Sequence, residues 1–327
     1  MTKVLVTGGA GYIGSHTVKS LRSQGFEPVV FDNLSTGRRE LVRGAELIVA
    51  DLEDKEAVPA VFKAQDFAAV LHFASLIQVS ESYLDPRRYY TQNLSSSLNL
   101  LDAMLKANVT SFIFSSSAAV YGIPRQLPIT EDHPLNPINP YGYTKFFVEQ
   151  VLRDYDRAYG LRFISLRYFN AAGADPAGEM GELHEPETHL IPNICFALQG
   201  KIPALEIFGV DFPTPDGTAV RDYIHVTDLA DAHVLALRKL LESRKSDFIN
   251  LGANRGYSVR EVISRAEEIT GSKIPVREKS RRMGDVPVLL ASKEKAERVL
   301  GWKLRHSDLD TIIQTAWNWH KKTGQTR

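Results

Sequence analysis

Apolar residues in the first half of the chain come in short bursts, separated by longer stretches of helical periodicity. Residues 3–7, 28–32, 46–50, 69–74, 111–116 and 162–168 are runs of the length and apolarity of buried strands. Between them, Leu94, Leu98, Leu101 and Leu105 recur at spacings of three and four, and Val148, Val151, Leu152 and Tyr155 trace a second helical face. Strands alternating with amphipathic helices predict an α/β fold, a doubly wound parallel sheet covered on both faces. Ligands of such sheets bind at the carboxyl ends of the strands. Five prolines between 124 and 140 mark an extended connection into the second helix. The alternation stops after Asn170. Residues 171–190 are rich in Gly, Pro, His and Glu, and 209–217 carry turn residues.

The first run, Lys3 to Thr7, feeds directly into Gly8, Gly11 and Gly14, after which Ile13, Val18 and Leu21 take up roughly helical spacing. Glycines in a strand-to-helix turn let the backbone approach a pyrophosphate, and the free amides of the helix N-terminus point at its charge. The second run ends at Asp32, whose carboxylate suits adenosine ribose hydroxyls and repels a 2′-phosphate, so NAD is expected over NADP. Arg38 and Arg39 follow several positions later and are expected on an exposed loop. These signals predict an NAD-binding Rossmann domain at 1–170. Residues 171–327 are expected to form a smaller, loop-rich substrate lobe, with some strands returning to the first domain.

In Pro140-Tyr141-Gly142-Tyr143-Thr144-Lys145, a helix would place Tyr141 and Lys145 on one face, four residues apart. A cation beside a tyrosine favours the phenolate and lowers a pKa that is about 10 in a free side chain. Such a tyrosine is suited to act as a general base on a hydroxyl group. Tyr143, two residues from Lys145, would face elsewhere. Upstream, Ser111 to Ser117 reads as a strand ending in hydroxyls, with both Ser115 and Ser117 as candidates. His72, inside an apolar run, is expected to be a hydrogen-bonded core histidine.

The glycine spacing together with Ser117, Tyr141 and Lys145 resembles the extended short-chain dehydrogenase/reductase family. His72-Phe73-Ala74, Asn93, Arg167 to Asn170, Ile207-Phe208-Gly209, Val220 to Val226 and Arg282 to Asp285 extend the resemblance to its nucleotide-sugar branch, from the first strand to about residue 303. The resemblance implies a 4-epimerase that interconverts UDP-glucose and UDP-galactose by transient hydride transfer to tightly bound NAD. Tyr141 would be the base, Lys145 and the positive nicotinamide would hold its pKa down, and Ser117 would bond the same sugar oxygen. Cofactor positions implied by the family, beyond the three glycines, are Tyr12, Ile13, Asp32, Asn33, Asp51 and Leu52. Phe73, Ala74, Asn93, Tyr141, Lys145 and Phe169 complete them. Ser117, Tyr141, Asn170, Leu190, Phe208, Arg221, Arg282 and Asp285 match UDP-sugar positions, the two arginines suiting a diphosphate. Leu289 takes the position that walls the sugar pocket, where tyrosine in some members excludes N-acetylated sugars, so the acetylated pair is also an expected substrate. Epimerisation of UDP-uronic acids or UDP-pentoses is the alternative within the branch. Dehydratases and decarboxylases place an acid just after the catalytic Ser or Thr, where this chain has Ala118 and Ala119. Ser75, Ser80 and Ile77 depart from the commoner pattern of glycine, glycine and lysine.

Composition narrows the rest. The chain has 327 residues with a formal net charge of zero, so no global field points to nucleic acid or a membrane surface. Cys195 is the single cysteine and lies among apolar residues, which predicts a buried, inert thiol and fits a reducing compartment. No leader pattern precedes the first strand, and a cytoplasmic location is expected. The resemblance further implies a homodimer. Between Gly181 and His189, His184 and His189 are five residues apart with Pro186 between them and match no usual zinc spacing. No metal is expected there.

Overall fold

The computed structural model describes residues 1–324. All six apolar runs are strands: β1 (Thr2–Thr7), β2 (Phe26–Asp32), β3 (Glu46–Val49), β4 (Ala69–His72), β5 (Ser111–Ser115) and β6 (Arg162–Arg167). They form one parallel sheet in the order β6-β5-β4-β1-β2-β3, and a seventh strand, Asp247–Asn250, joins at the β6 edge. The strand order therefore reverses between β1 and β4, which opens a crevice at their carboxyl ends. Successive residues of β1 feed opposite cores. Val4 and Val6 pack with Val18, Leu21, Ile113 and Leu237 on one face, while Leu5 packs with Phe31, Val70, Leu100 and Leu152 on the other. Burial on both faces is why these strands read as continuous apolar runs rather than alternating ones.

Two local departures from the expected pattern bear on the site. β4 stops at His72 rather than residue 74, because the amides of Phe73 and Ala74 both turn to the Thr7 carbonyl, at 2.8 and 3.2 Å. The leucine-periodic stretch is not one α-helix. Tyr90–Ser95 form a π-helical turn before the α-helix Ser96–Lys106. Its wider turn resets the phase, so Leu100, Leu101 and Met104 are buried while Leu98 is only half-buried. The turn also buries Asn93, whose amide accepts from Leu76 N (2.7 Å) and donates to Thr144 Oγ1 (3.1 Å).

Beyond residue 170 the chain makes small sheets. Val220–Arg221 lies between Tyr257–Ser258 and Val288–Leu289, and Asn170–Ala172 pairs with Tyr223–His225. A third core, with Ile194, Cys195, Val262 and Ile312, forms where the helices Leu190–Leu198, Val259–Thr270 and Leu309–Gly324 meet. Burial there pushes the Cys195 thiol up to about 12. Trp302 and Trp319 are buried as packing residues. Among the described residues, no helix is long and apolar enough to cross a membrane.

The helix Pro140–Tyr159 carries Tyr141 and Lys145 and is bounded by strong local signals. Pro140 occupies its first turn, Asn139 Oδ1 caps the Gly142 amide at 2.7 Å, and Gly160 ends it with φ of 69°. Lateral position is set by Glu149, which is fully buried against Arg167 of β6. Arg167 donates from Nε to Oε1 (2.9 Å) and from Nη2 to Oε2 (2.6 Å). Ser116 and Ser165 donate to Oε1 at 2.8 Å each, and Arg167 Nη1 reaches the Tyr121 hydroxyl at 2.8 Å. Removing one member of such a pair leaves a buried uncompensated charge. Glu149→Ala is therefore expected to destabilise the protein by about 3–5 kcal/mol, and the apolar double variant Glu149→Leu/Arg167→Met to recover most of that loss. Urea unfolding of the three proteins checks this. A single-variant loss on the scale of a surface pair, about 1 kcal/mol or less, would mean Arg167 is compensated elsewhere.

Candidate active site

Strand β1 delivers the glycine turn into the crevice. Gly8 has φ of +74°, and a Cβ there would sit 2.4 Å from Ala74 N; a Cβ at Gly14 would sit 2.2 Å from the Gly8 carbonyl. Gly11 opens the helix α1 (Tyr12–Ser23) with no side-chain cap, leaving its first amides for a ligand. This close-packed turn fits a dinucleotide pyrophosphate. At the end of β2, Asp32 is held by the Ala10 amide on Oδ2 (2.9 Å) and the Leu34 amide on Oδ1 (2.8 Å). Burial raises its carboxyl pKa while the two amides oppose the rise. Asn33 donates to Asp51 Oδ2 at 2.7 Å, alongside the buried Leu52. Ile13 is half-buried against the first core, and Tyr12 donates to the Gly173 carbonyl at 2.6 Å, tying the turn to the second half of the chain. Phe73 packs on His233, with ring centroids 4.7 Å apart. Arg38 pairs with exposed Glu185 at 3.4 Å and Arg39 is exposed.

The serine run at the end of β5 splits by partner. Ser115 shares a hydrogen bond with Tyr168 (2.5 Å), Ser116 serves Glu149, and Ser117 hydrogen-bonds Tyr141 while its Oγ accepts from the Ala119 amide at 3.1 Å. Lys145 Nζ donates to the Ser115 carbonyl at 2.9 Å and lies 5.0 Å from the Phe114 ring centre and 5.9 Å from that of Tyr141. Tyr143 packs on Phe147 instead. His72 bonds Thr7 (2.6 Å) and Ser97 (2.9 Å), and burial, with Lys145 nearby, lowers it to about 3, a neutral core histidine.

The electrostatics differ from the sequence expectation. Lys145, together with the nicotinamide charge, was expected to depress the Tyr141 pKa; in the chain alone burial raises it, opposed by the Ser117 hydrogen bond. Burial also pulls Lys145 down to about 7, opposed by Glu149 one turn along. Desolvation penalises the phenolate and the ammonium alike, and the lysine spends a hydrogen bond on a backbone carbonyl. Both shifts run towards the neutral forms.

Of the residues matched to a UDP-sugar, Asn170, Arg221 and Leu289 lie on the small sheets, and Arg282 and Asp285 in the turn before Val288–Leu289. Asn170 Nδ2 donates to the Asp222 carbonyl at 2.8 Å. Arg221 is the register partner of Leu289, donates to the Val220 carbonyl at 2.9 Å and lies 4.0 Å from Asp285. Asp285 also accepts from Arg282 Nε at 3.1 Å, and the Arg282 guanidinium lies 5.0 Å from the Phe208 ring. Two guanidinium groups thus flank one carboxylate, an arrangement able to take a diphosphate. Leu289 and Phe169 pack against Ala118 and Tyr121, beside Ser117. Leu190 starts the helix Leu190–Leu198. Ile77 is exposed, and Ser75 bonds the Leu76 carbonyl at 3.1 Å. Sequence reasoning passed over Glu149. Its only signal was a carboxylate one helical turn beyond Lys145, between the apolar Val148 and Leu152.

Residues 4–252 match the model of the NAD dependent epimerase/dehydratase family. The UDP-glucose 4-epimerase of Rhizobium leguminosarum bv. trifolii is 49% identical over 322 residues, 98% of each chain. The crystal structure of Brucella ovis UDP-glucose 4-epimerase in complex with NAD superposes with a TM-score of 0.94 at 50% identity, covering 97% of this chain and 98% of that one. That of Bifidobacterium longum in complex with NAD⁺ and UDP gives 0.96 at 39% identity and covers both chains fully.

Proposed function

Because the chain belongs to the NAD dependent epimerase/dehydratase family and aligns over nearly its whole length with UDP-glucose 4-epimerases, we infer that it is an NAD-dependent enzyme of that activity. We propose that it interconverts UDP-glucose and UDP-galactose by transient hydride transfer to tightly bound NAD. The observation that carries this reading is the convergence of Ser117, Tyr141 and Lys145 at the carboxyl end of β5, the serine and lysine buried and the tyrosine half-buried, with alanines at 118 and 119 where an acid would serve elimination.

The glycine turn at Gly8, Gly11 and Gly14, with Asp32, Asn33 and Phe73 around it, would hold the NAD. When bound, that group supplies a hydride acceptor and donor at C4 of the sugar, together with the positive charge of its nicotinamide. Tyr141 takes the proton of the 4-hydroxyl and returns it, with Ser117 bonding the same oxygen. A phenol raised by burial needs nearby positive charge to ionise, and Lys145, near neutral pH, is poised to accept or release a proton as that charge arrives. Arg221 and Arg282 hold the diphosphate at a fixed point while the sugar turns to present its other face.

Purified protein given UDP-galactose without added NAD is expected to produce UDP-glucose with no net rise in NADH absorbance. In the same assay Tyr141→Phe should lose about a hundredfold to ten-thousandfold in turnover and still retain its cofactor. Stoichiometric NADH release would mark a dehydrogenase. A Tyr141→Phe variant of near-parental rate would place the base elsewhere.

Leu289 favours a wider sugar range. Its side chain packs on the small buried cluster that contains Ala118, next in sequence to Ser117, and it is smaller than a tyrosine, so room for an acetamido group at C2 is expected. The protein is expected to interconvert UDP-N-acetylglucosamine and its galacto epimer as well. Leu289→Tyr should cut kcat/KM for that pair while sparing the unacetylated one. Equal handling of both pairs by the variant would rule Leu289 out as the gate.

A further inference from the structure

The loop before Leu190 gathers side chains that the reaction does not use. Glu182, His184, Glu187 and His189 each offer one ligand atom, and these four atoms lie within 4.8 Å of one another. Along the chain the two histidines have no metal spacing, but the turn through Pro186 folds them together. Their rings stand 5.5 Å apart at 80°, so both Nδ1 atoms address the same oxygen, Glu182 Oε1. His184 Nδ1 is 3.0 Å from it, and His189 Nδ1 is hydrogen-bonded to it. Glu187 comes in from the other side, its Oε1 3.9 and 4.0 Å from the two Nδ1 atoms.

A second observation shows that this group is incomplete as a hydrogen-bonded cluster. Glu187 Oε1 accepts from the amides of Thr188 and His189, at 2.8 and 2.9 Å. Its Oε2 is buried with no partner, although the side chain is only 3% exposed. An unpaired buried carboxylate oxygen is costly. Nearby residues fix the frame without closing the centre. Trp319 donates to the Glu182 carbonyl at 3.1 Å, and the edge of Tyr12 meets His184 at 6.4 Å.

We propose that Glu182, His184, Glu187 and His189 form a binding site for one divalent transition-metal ion of the zinc class, which clasps the loop ahead of the helix Leu190–Leu198. Two neutral imidazoles and two carboxylates balance the charge of such an ion, and Glu187 contributes a buried carboxylate with an oxygen that lacks a partner. Zinc bonds to histidine nitrogen and carboxylate oxygen are about 2.0–2.2 Å, so ligand atoms around one ion lie up to roughly twice that distance apart. In a tetrahedral site the ligand atoms stand roughly 3.3–3.6 Å from one another, so Glu187 closes in on the two histidines while Glu182 Oε1 draws back from them. The mixed nitrogen and oxygen donors favour zinc, cobalt or nickel over magnesium and calcium, which prefer oxygen alone. His189, 41% exposed at its side chain, leaves a path from solvent to the centre. The proposed role of the ion is structural, to hold the loop between Tyr12 and Leu190.

The test uses the full-length protein without a polyhistidine tag, stripped with chelator and titrated with Co²⁺ and then Zn²⁺. One equivalent of Co²⁺ should bind, produce the strong visible absorption of a four-coordinate histidine–carboxylate centre, and be displaced by Zn²⁺ but not by Mg²⁺. Glu187→Gln, which preserves shape, and His184→Ala should each weaken binding by at least about tenfold, while circular dichroism reports whether they fold. Zn²⁺ should raise the melting temperature of the parent and not of the variants. No saturable binding by the parent protein overturns the proposal. So does binding that Glu187→Gln and His184→Ala leave unweakened.

Discussion

A charge pair sealed from water, Glu149 with Arg167, joins the elements that make the site. The carboxylate comes from the helix bearing Tyr141 and Lys145, and the guanidinium from β6. The serines that finish the carboxylate's hydrogen bonds lie beside β5 and within β6. Through Tyr121 the network continues to Asn250 at 2.7 Å, in the strand that returns from the second half of the chain. A pair this deep contributes less net stability than its contacts suggest, because desolvating two ions offsets much of their attraction. What it does secure is position. If the helix shifted along β5 and β6, one of the charges would lose its partner.

The same dryness sets the chemistry. Burial pushes Tyr141 and Lys145 each towards its neutral form. A site of this kind resists forming a phenolate until positive charge arrives, and then does so without water to reorganise. The closeness of Gly8, Gly14 and Ala74 makes the glycine turn a rigid cradle rather than a flexible loop.

Much of this was legible in the sequence because of where the strands lie. Buried on both faces, β1 to β6 appear as bare apolar runs, and the glycine turn and the four-residue spacing of Tyr141 and Lys145 are local signals. What escaped depends on contacts between distant segments. Asp247–Asn250 is too short and too flanked by polar residues to stand out, yet it completes the sheet. The π turn at Tyr90–Ser95 shifts a helical face that simple spacing cannot phase. Glu149 read as an ordinary polar position until β6 supplied Arg167. Spacing suggested the direction of the Tyr141 shift, but burial reversed it, and burial is a property of the assembled fold. The gathering of His184 and His189 with two glutamates likewise depends on a turn geometry that residue intervals do not encode.

The claim that ties these points together is that the Tyr141–Lys145 pocket is desolvated, and Lys145 reports on it directly. Its side chain can be followed by NMR in lysine-labelled protein, with the resonance assigned by its loss in Lys145→Arg, across a pH titration in the absence of sugar nucleotide. The account predicts a midpoint near 7, far below that of an exposed lysine. A midpoint at the ordinary lysine value of about 10.4 would mean that water or a compensating charge reaches the pair, and would contradict the account.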